Sequence, residues 1–409
     1  MKILFLTDNF YPEANAPANR TYEHCREWVK SGADVTVITC VPNFPKGKVF
    51  TGYKNKMHQT EYIDGIKVVR VWSYITANEG TVKRILDYIS FAVMAFFTSL
   101  FYKSDIIIAT SPQFFTAIAG AFSSIFKRKP WMMEVRDIWP ESIVAVGAIK
   151  NNRIIHFLEK IEKWLYHRAN KIVVVTDSFK LDIIKKGLNE DKIEVIKNGV
   201  NLDKFTPIPK NKKILQDLGL DNKFVIAYFG THGMAHKLDF ILKSAVHVKD
   251  AEIHFLLIGD GAERENLCQL KNSLKITNVT MLPSVPKDEI QDYISVIDVA
   301  LVNLKKSDTF KSVIPSKIFE NAAMGKPILL GVEGESKQIV ESYKAGLSFE
   351  PENIDDYISK LYQIKEDTQK GCFLEGCQKL AQEYDRTKLA SNMLVIIDNT
   401  LKDINSKKN

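Results

Sequence analysis

Residues 224–264 read "FVIAYFGTHGMAHKLDFILKSAVHVKDAEIHFLLIGDGAER". An apolar run ends at Gly230 and Gly233, a helical pattern follows, and a second apolar run ends at Gly259 and Gly261. Strand, glycine turn, helix and strand again is the unit of a parallel sheet covered on both faces. The same alternation runs outward in both directions. "KILFLT", "DVTVIT", "IKVVRVW", "DIIIAT", "WMMEV", "KIVVVT" and "IEVIKN" lie before it, and "NVTML", "DVALVN" and "PILLG" after it. At 409 residues the chain is too long for one core and suits two domains. The stretch "NGVNLDKFTPIPKNKK" (198–213) has the turn residues and charges of a linker. The reading is an α/β protein of two doubly wound Rossmann-like domains, residues 1–199 and 200–385, facing a central cleft. A last helical pattern over residues 386–409 is expected to cross back to the first domain. Ligands of such sheets bind outside the carboxyl ends of the strands, so the cleft is the expected site.

Apolar residues at 45% and charged residues at 26% are ordinary for a folded enzyme, but the net charge of +7 is uneven. Residues 1–200 hold 28 Lys/Arg against 20 Asp/Glu, the rest 28 against 29. A basic half fits nucleic acid, an anionic membrane surface or acidic ligands. Five cysteines without close metal-ligand pairing fit a reduced cytoplasmic interior. The start "MKILFLTDNF" is too short for a signal-peptide core and reads as a buried strand. "ILDYISFAVMAFFTSLFY" (85–102), flanked by Lys83, Arg84 and Lys103, is long enough to raise a membrane-spanning reading. Asp87 and the Tyr, Ser and Thr residues favour a helix packed on a sheet, with interfacial membrane contact as the alternative.

The turn "FGTHG" places Gly230, Thr231, His232 and Gly233 where backbone N–H groups could approach a phosphate, although such a turn also serves simply as a tight turn. Neither half carries a full G-x-G-x-x-G with an acidic ribose partner, and no P-loop motif occurs. The loop "TDNFYPEANAPANRTYEH" offers Asn15, Asn19 and Arg20 to a polar or anionic ligand. "EVRDIWPES" (134–142) gathers Glu134, Arg136, Asp137 and Glu141 around Trp139, an apolar plate for a sugar or lipid, or else a salt-bridged loop. Without an Asp-x-Asp pattern or histidines at metal spacing, metal-dependent transfer is not expected.

"VIPSKIFENAAMGKPILL" (313–330) predicts a capped helix of about three turns from Pro315 or Ser316 to Gly325. Lys317 and Glu320 share one face at its mouth. Cation, N–H groups and carboxylate would suit a nucleoside diphosphate, the carboxylate taking ribose hydroxyls. An ordinary surface ion pair is the alternative.

Together these residues resemble the retaining two-domain (GT-B) transferases of glycosyltransferase family 4. "TDNFYPEANAPANR", "PNFPKGKVFTGY", "RDIWPES", "NGVNLDKF", "GTHG" and "PSKIFENAAMGKP" stand in that family's order over nearly the whole chain. "PNFPKGK" and "RDIWPES" look closest to the bacterial O-antigen and capsule subgroup that includes N-acetyl-L-fucosamine transferases. The resemblance implies a nucleotide-sugar donor, usually UDP-linked, and a polyprenyl-diphosphate-linked glycan acceptor at the inner membrane face. It also implies no metal, no other cofactor and no nucleic acid. Donor-binding positions would be Gly230, Thr231, His232, Gly233, Lys237, Gly259, Pro283, Val285, Pro315, Ser316, Lys317 and Glu320. Acceptor-binding positions would be Asn15, Asn19, Arg20, Arg136, Trp139 and Glu141. Asp137 falls near the general catalytic position of the first domain, and Lys317 would answer the departing diphosphate. The chain departs from the family in three places. Ser312 stands where the first glutamate of Glu-x7-Glu is expected, and Ala14, Asn15 and Ala16 replace a Gly-Gly pair. Thr231, His232 and Lys237 replace the usual Arg and Lys, leaving Lys317 the best cation and Lys237 the second. Rival readings are a nucleotide-sugar epimerase of the same fold and a non-catalytic sugar-binding subunit.

Overall fold

In the computed structural model, residues 14, 45, 77–80, 112, 146–150, 287 and 407–409 are not described, nor are the side chains of 81, 82, 143 and 145. The chain forms two compact units, Met1–Lys197 with Arg386–Asn409, and Asn198–Asp385.

The first unit contains β1 (Lys2–Leu6), β2 (Asp34–Thr39), β3 (His58–Ile63), β4 (Ile66–Val71), β5 (Ile106–Thr110), β6 (Trp131–Val135), β7 (Lys171–Val174) and β8 (Ile193–Val195). They form one sheet of order β3-β4-β2-β1-β5-β6-β7-β8. Every described pairing is parallel except the β3–β4 hairpin. Alternate residues enter opposite cores, Leu4, Leu6 and Ile107 one and Ile3, Phe5 and Ile106 the other. That two-sided burial explains why these strands read as continuous apolar runs. The helix Arg386–Ser406 closes the second core with Leu389, Ala390, Met393 and Ile397. Trp28 Nε1 donates to Ala390 O at 2.8 Å, and Arg386 pairs with Glu23.

The second unit contains β9 (Phe224–Phe229), β10 (Ile253–Ile258), β11 (Val279–Leu282), β12 (Val299–Asn303), β13 (Ile328–Gly331) and β14 (Gly346–Ser348). Its order is β11-β10-β9-β12-β13-β14, with all described pairings parallel. Strand order reverses at β1 in the first unit and at β9 in the second. The carboxyl ends of these strands are therefore the topological switch points where open α/β sheets bind ligands.

Three expectations need correction. Residues 198–213 are not a bare linker: Val200 and Phe205 are buried in the core of the second unit, Val200 bridges Asp385, and a helix starts at Lys212. The helix expected at 85–102 spans Thr81–Ser99, and among the described residues no helix is long and apolar enough to cross a membrane. The helix after Pro315 is Lys317–Ala323, two turns rather than three.

Candidate active site

In the second unit, the turns after β9 and β10 are laced together. Gly230 N donates to Ile258 O at 2.9 Å, His232 N to Asp260 O at 2.8 Å, and Glu263 N returns to His232 O at 2.9 Å. Only glycine permits so close an approach, since a Cβ on Gly259 would stand 1.8 Å from Gly230 O. A Cβ on Gly261 would stand 2.6 Å from His232 O.

Lys317 reaches this turn from its own helix. Its Nζ lies 4.0 Å from the centre of the Tyr228 ring and would be 2.9 Å from a Cβ on Gly230. Burial pulls the ammonium down to about 8, with Glu320 opposing the shift. Tyr228 is held in place by donating its hydroxyl to Thr231 O at 2.8 Å. The cation thus faces the glycine turn at the switch point. The backbone contributes less than the sequence promises: Ile318 N is bonded to Pro315 O, and Phe319 N and Glu320 N to Ser316 O. Those N–H groups serve the first turn and are not offered to a phosphate, and Ser316 makes no side-chain cap.

Among the other donor-site positions, His232 is fully buried, and neither ring nitrogen has a partner among the described residues. Burial, then Arg264, lowers it to about 4, and burial, then Lys317, does the same to His236. Both rings are therefore neutral at pH 7 and supply polar contacts without charge. Lys237 is paired with Asp239 at 3.2 Å, which weakens its standing as second cation. Arg264 is better placed, with Nε donating to Gly259 O at 3.2 Å. Gly233 has extended backbone, and a Cβ there would make ordinary contacts at 3.6 Å or more. Thr231 is exposed, as is Pro283, while Val285 packs on the core. Pro283 follows β11, whose Leu282 O accepts from Gly259 N at 3.2 Å. Pro315 and Glu320 are half-buried. Ser312, in the place of the expected glutamate, donates to Thr309 O at 3.2 Å.

Sequence reasoning missed four residues here, His236 among them. Tyr228 looks like one more apolar strand residue. Asn303, 1% exposed at the end of β12, donates to His236 O at 2.9 Å while its Oδ1 has no partner among the described residues. The polar residue closing an apolar strand was the available signal. For Arg264 it was the spacing after Gly261.

In the first unit, Arg20 is 2% exposed. Its guanidinium donates to Glu134 Oε1 at 2.9 Å and to the carbonyls of Lys197 and Ile196 at 2.8 and 2.9 Å. Burial alone would raise Glu134, but Arg20 and Arg136 hold it below its usual range. This is a structural tie, so Arg20 is corrected from an acceptor contact to a pillar between β6, the helix Ala16–Lys30 and the segment after β8. Arg136 donates to Pro17 O at 3.1 Å, and burial lowers it to about 10. Asn15 caps the helix, accepting from Ala18 N at 2.8 Å, and donates to Asn9 Oδ1 at 2.5 Å. Ala14 lies outside the described residues, and Asn19 is half-buried one turn along the helix. Trp139 stacks on Phe114 with ring centres 5.9 Å apart, so one of its faces is already covered. Glu141 is exposed and pairs with Lys186 at 2.9 Å. Asp137 follows β6, half-buried, and burial raises its carboxyl. Among the described residues, no three His, Cys, Asp or Glu side chains converge to hold a metal ion.

Two parallel-sheet units with polar turns at their switch points define the two-domain α/β class to which GT-B glycosyltransferases belong. Residues 18–204 match Glycosyltransferase Family 4, and residues 210–383 match Glycosyl transferases group 1. The chain is a glycosyltransferase of the GT-B type built from these two domains. It is 23% identical over 408 residues to the Escherichia coli (strain K12) protein described as a colanic acid biosynthesis glycosyl transferase, WcaI, spanning 96% of this chain and 98% of that one. It is 25% identical over 226 residues to the Pseudomonas aeruginosa glycosyltransferase WbjE, spanning 54% and 56%. The Anabaena HepE structure in complex with UDP superposes with a TM-score of 0.72 at 18% identity, over 98% of this chain and all of that one.

Proposed function

We propose that the protein is a retaining glycosyltransferase that moves a sugar from a UDP-linked donor to a polyprenyl-diphosphate-linked glycan during surface polysaccharide assembly. The observation that carries the donor half is Lys317 Nζ poised over Tyr228 at the glycine turn after β9. A departing diphosphate gains charge as the glycosidic bond breaks, and a desolvated ammonium fixed beside it stabilises that charge without reorganising. Arg264 and the neutral His232 and His236 complete a polar cradle, and Glu320 takes the ribose hydroxyls. HepE, with the same fold, has been crystallised with UDP and with UDP-glucose, which supports a uridine nucleotide here. WcaI, named for colanic acid biosynthesis, supports a surface-polysaccharide product.

The first unit holds the acceptor. Asp137, a carboxylate already raised by burial, accepts or positions the proton of the attacking hydroxyl. A polyprenyl acceptor stays in the bilayer, so the enzyme works at an anionic membrane surface.

Calorimetry with UDP, ADP, GDP and uridine tests the donor assignment. UDP should bind most tightly, and Glu320→Ala should weaken UDP by about 1–3 kcal/mol while the melting temperature holds. Equal affinity for all three diphosphates would remove the uridine reading. Asp137→Asn should keep UDP affinity and lower transfer by about 10²-fold or more; near-normal transfer would remove Asp137 from the chemistry.

A further inference from the structure

At the carboxyl ends of the first unit's strands, three carboxylates enter a cavity and have no role in the reading above. The cavity, about 430 Å³, lies between the loops after β1 and β2 and the helix Thr81–Ser99. Asp8, Glu13 and Asp87 line it, with Arg84 the sole cation among its described lining residues. Glu13 is 3% exposed. Its Oε1 accepts from the backbone N–H groups of Asn43 at 2.8 Å and Phe44 at 2.9 Å. Its Oε2 is shut off from bulk water and has no partner among the described residues. Asp8 accepts from Gln113 Nε2.

Burial is the main reason these acids are hard to ionise, and their mutual repulsion adds to it. Asp8 is pushed up to about 6, and Glu13 and Asp87 to about 7, with Asp8 raising each of the other two. A buried acceptor without a donor is costly, and the cost is recovered when a donor arrives. The same site penalises a second negative charge. Phe44, 41% exposed, and Tyr88 add apolar faces to the walls. Acceptors around the rim and aromatic faces beside them match a sugar ring, whose edge carries hydroxyl donors and whose faces are C–H.

We propose that this cavity is the subsite for the terminal sugar of the acceptor, and that it selects a ring presenting hydroxyl or ammonium donors over one bearing a carboxylate or phosphate. The assignment rests on the first unit being the acceptor side of a glycosyltransferase. Glu13 is its central specificity residue, with Asp87 on the opposing helix and Asp8 at the end of β1 completing the acceptor set.

Ligand-observed NMR titration of the full chain at pH 7.5 tests this with methyl β-D-glucopyranoside, methyl β-D-glucosaminide and methyl β-D-glucuronide. The first two should bind at least tenfold more tightly than the third. Glu13→Gln keeps an oxygen for Asn43 and Phe44 and turns the unpartnered acceptor into a donor. It should weaken the neutral glycoside about tenfold and narrow the discrimination against the glucuronide. Asp87→Asn, on a partly exposed helix, is the second variant, should Glu13→Gln lower the melting temperature. The proposal is overturned if the glucuronide binds as tightly as the others, if no glycoside binds, or if both variants bind like the wild type. UDP calorimetry on the same samples separates the two assignments. Glycosides binding in the predicted order without UDP binding sinks the UDP-sugar reading alone; UDP binding without glycoside discrimination sinks the cavity alone.

Discussion

Lys317 carries an electrostatic cost in the ligand-free protein that a diphosphate would remove. Burial holds its ammonium near 8, against 10.5 for an unburied lysine. Because the folded state binds this proton more weakly than the unfolded state, the buried charge lowers stability at neutral pH. That penalty lifts as pH rises from about 8 toward 10.5. Ligand binding has the opposite sign, since a diphosphate, fully ionised above pH 7.5, prefers the charged lysine. UDP affinity measured by calorimetry should therefore be flat near pH 7 and fall toward tenfold per unit above pH 8. Lys317→Gln should bind more weakly and show no such fall. A wild-type profile that stays flat to pH 9.5 would remove Lys317 from the diphosphate site. The lysine and Gly230 could be read in the sequence because a cation at a helix start and a glycine at a strand end each have few uses. Tyr228, which aims the lysine, could not, since its role depends on a helix some 90 residues away in the chain.

Among the elements, the glycines at the switch point of the second unit divide into two kinds. Gly259 must be glycine because Gly230 O occupies the space of its side chain, whereas Gly233 has room for one. Gly259→Ala should cost at least about 1–3 kcal/mol by overpacking and abolish UDP binding, while Gly233→Ala should change either property little. Thermal unfolding with and without UDP checks both, and a tolerated Gly259→Ala would mean the two turns are not held as described. In the sequence Gly233 and Gly259 look alike, each a glycine in the turn after an apolar run; the distinction appears only when the neighbouring turn is in place. The same limit governs the strands. Those buried on both faces announce themselves as β-branched runs, and all twelve runs in the sequence reading match strands in the sheets' interiors or at their parallel edges, with β8 reduced to three residues. β3 alternates exposed and half-buried residues as an antiparallel edge strand, and β14 has only Gly346, Leu347 and Ser348. Neither carries an apolar run, so neither was legible. The helix after Pro315 was legible in place but not in length, because it begins at Lys317, a residue or two past the expected start, and ends at Ala323, two residues before Gly325.

For the molecule as a whole, charge and apolar surface fall on the same unit. The first unit holds the excess of Lys and Arg and a hollow of about 520 Å³ lined throughout by apolar side chains, among them Ile89, Val93, Phe97, Phe122 and Phe126. Phe101 is 86% exposed and Phe126 66%, an arrangement that water alone does not favour. Phe126 also borders a second hollow lined by Lys2, Lys103, Lys127 and Lys129. Aromatic side chains beside lysines are what an interfacial anchor needs, since each basic residue gains about 1 kcal/mol near anionic lipid and apolar side chains enter the acyl boundary. The first unit should therefore bind vesicles containing phosphatidylglycerol and ignore vesicles of phosphatidylcholine alone at moderate salt. Raising salt should weaken binding without abolishing it, because screening removes the charge contribution and leaves the apolar one. Replacing Phe97, Phe101 and Phe126 together with Ser should lower vesicle binding about tenfold or more in a flotation assay, while UDP affinity stays unchanged. Flotation free of anionic vesicles by the wild-type protein at low salt would show that this surface is not a membrane anchor, and would leave the exposed aromatics to some other partner.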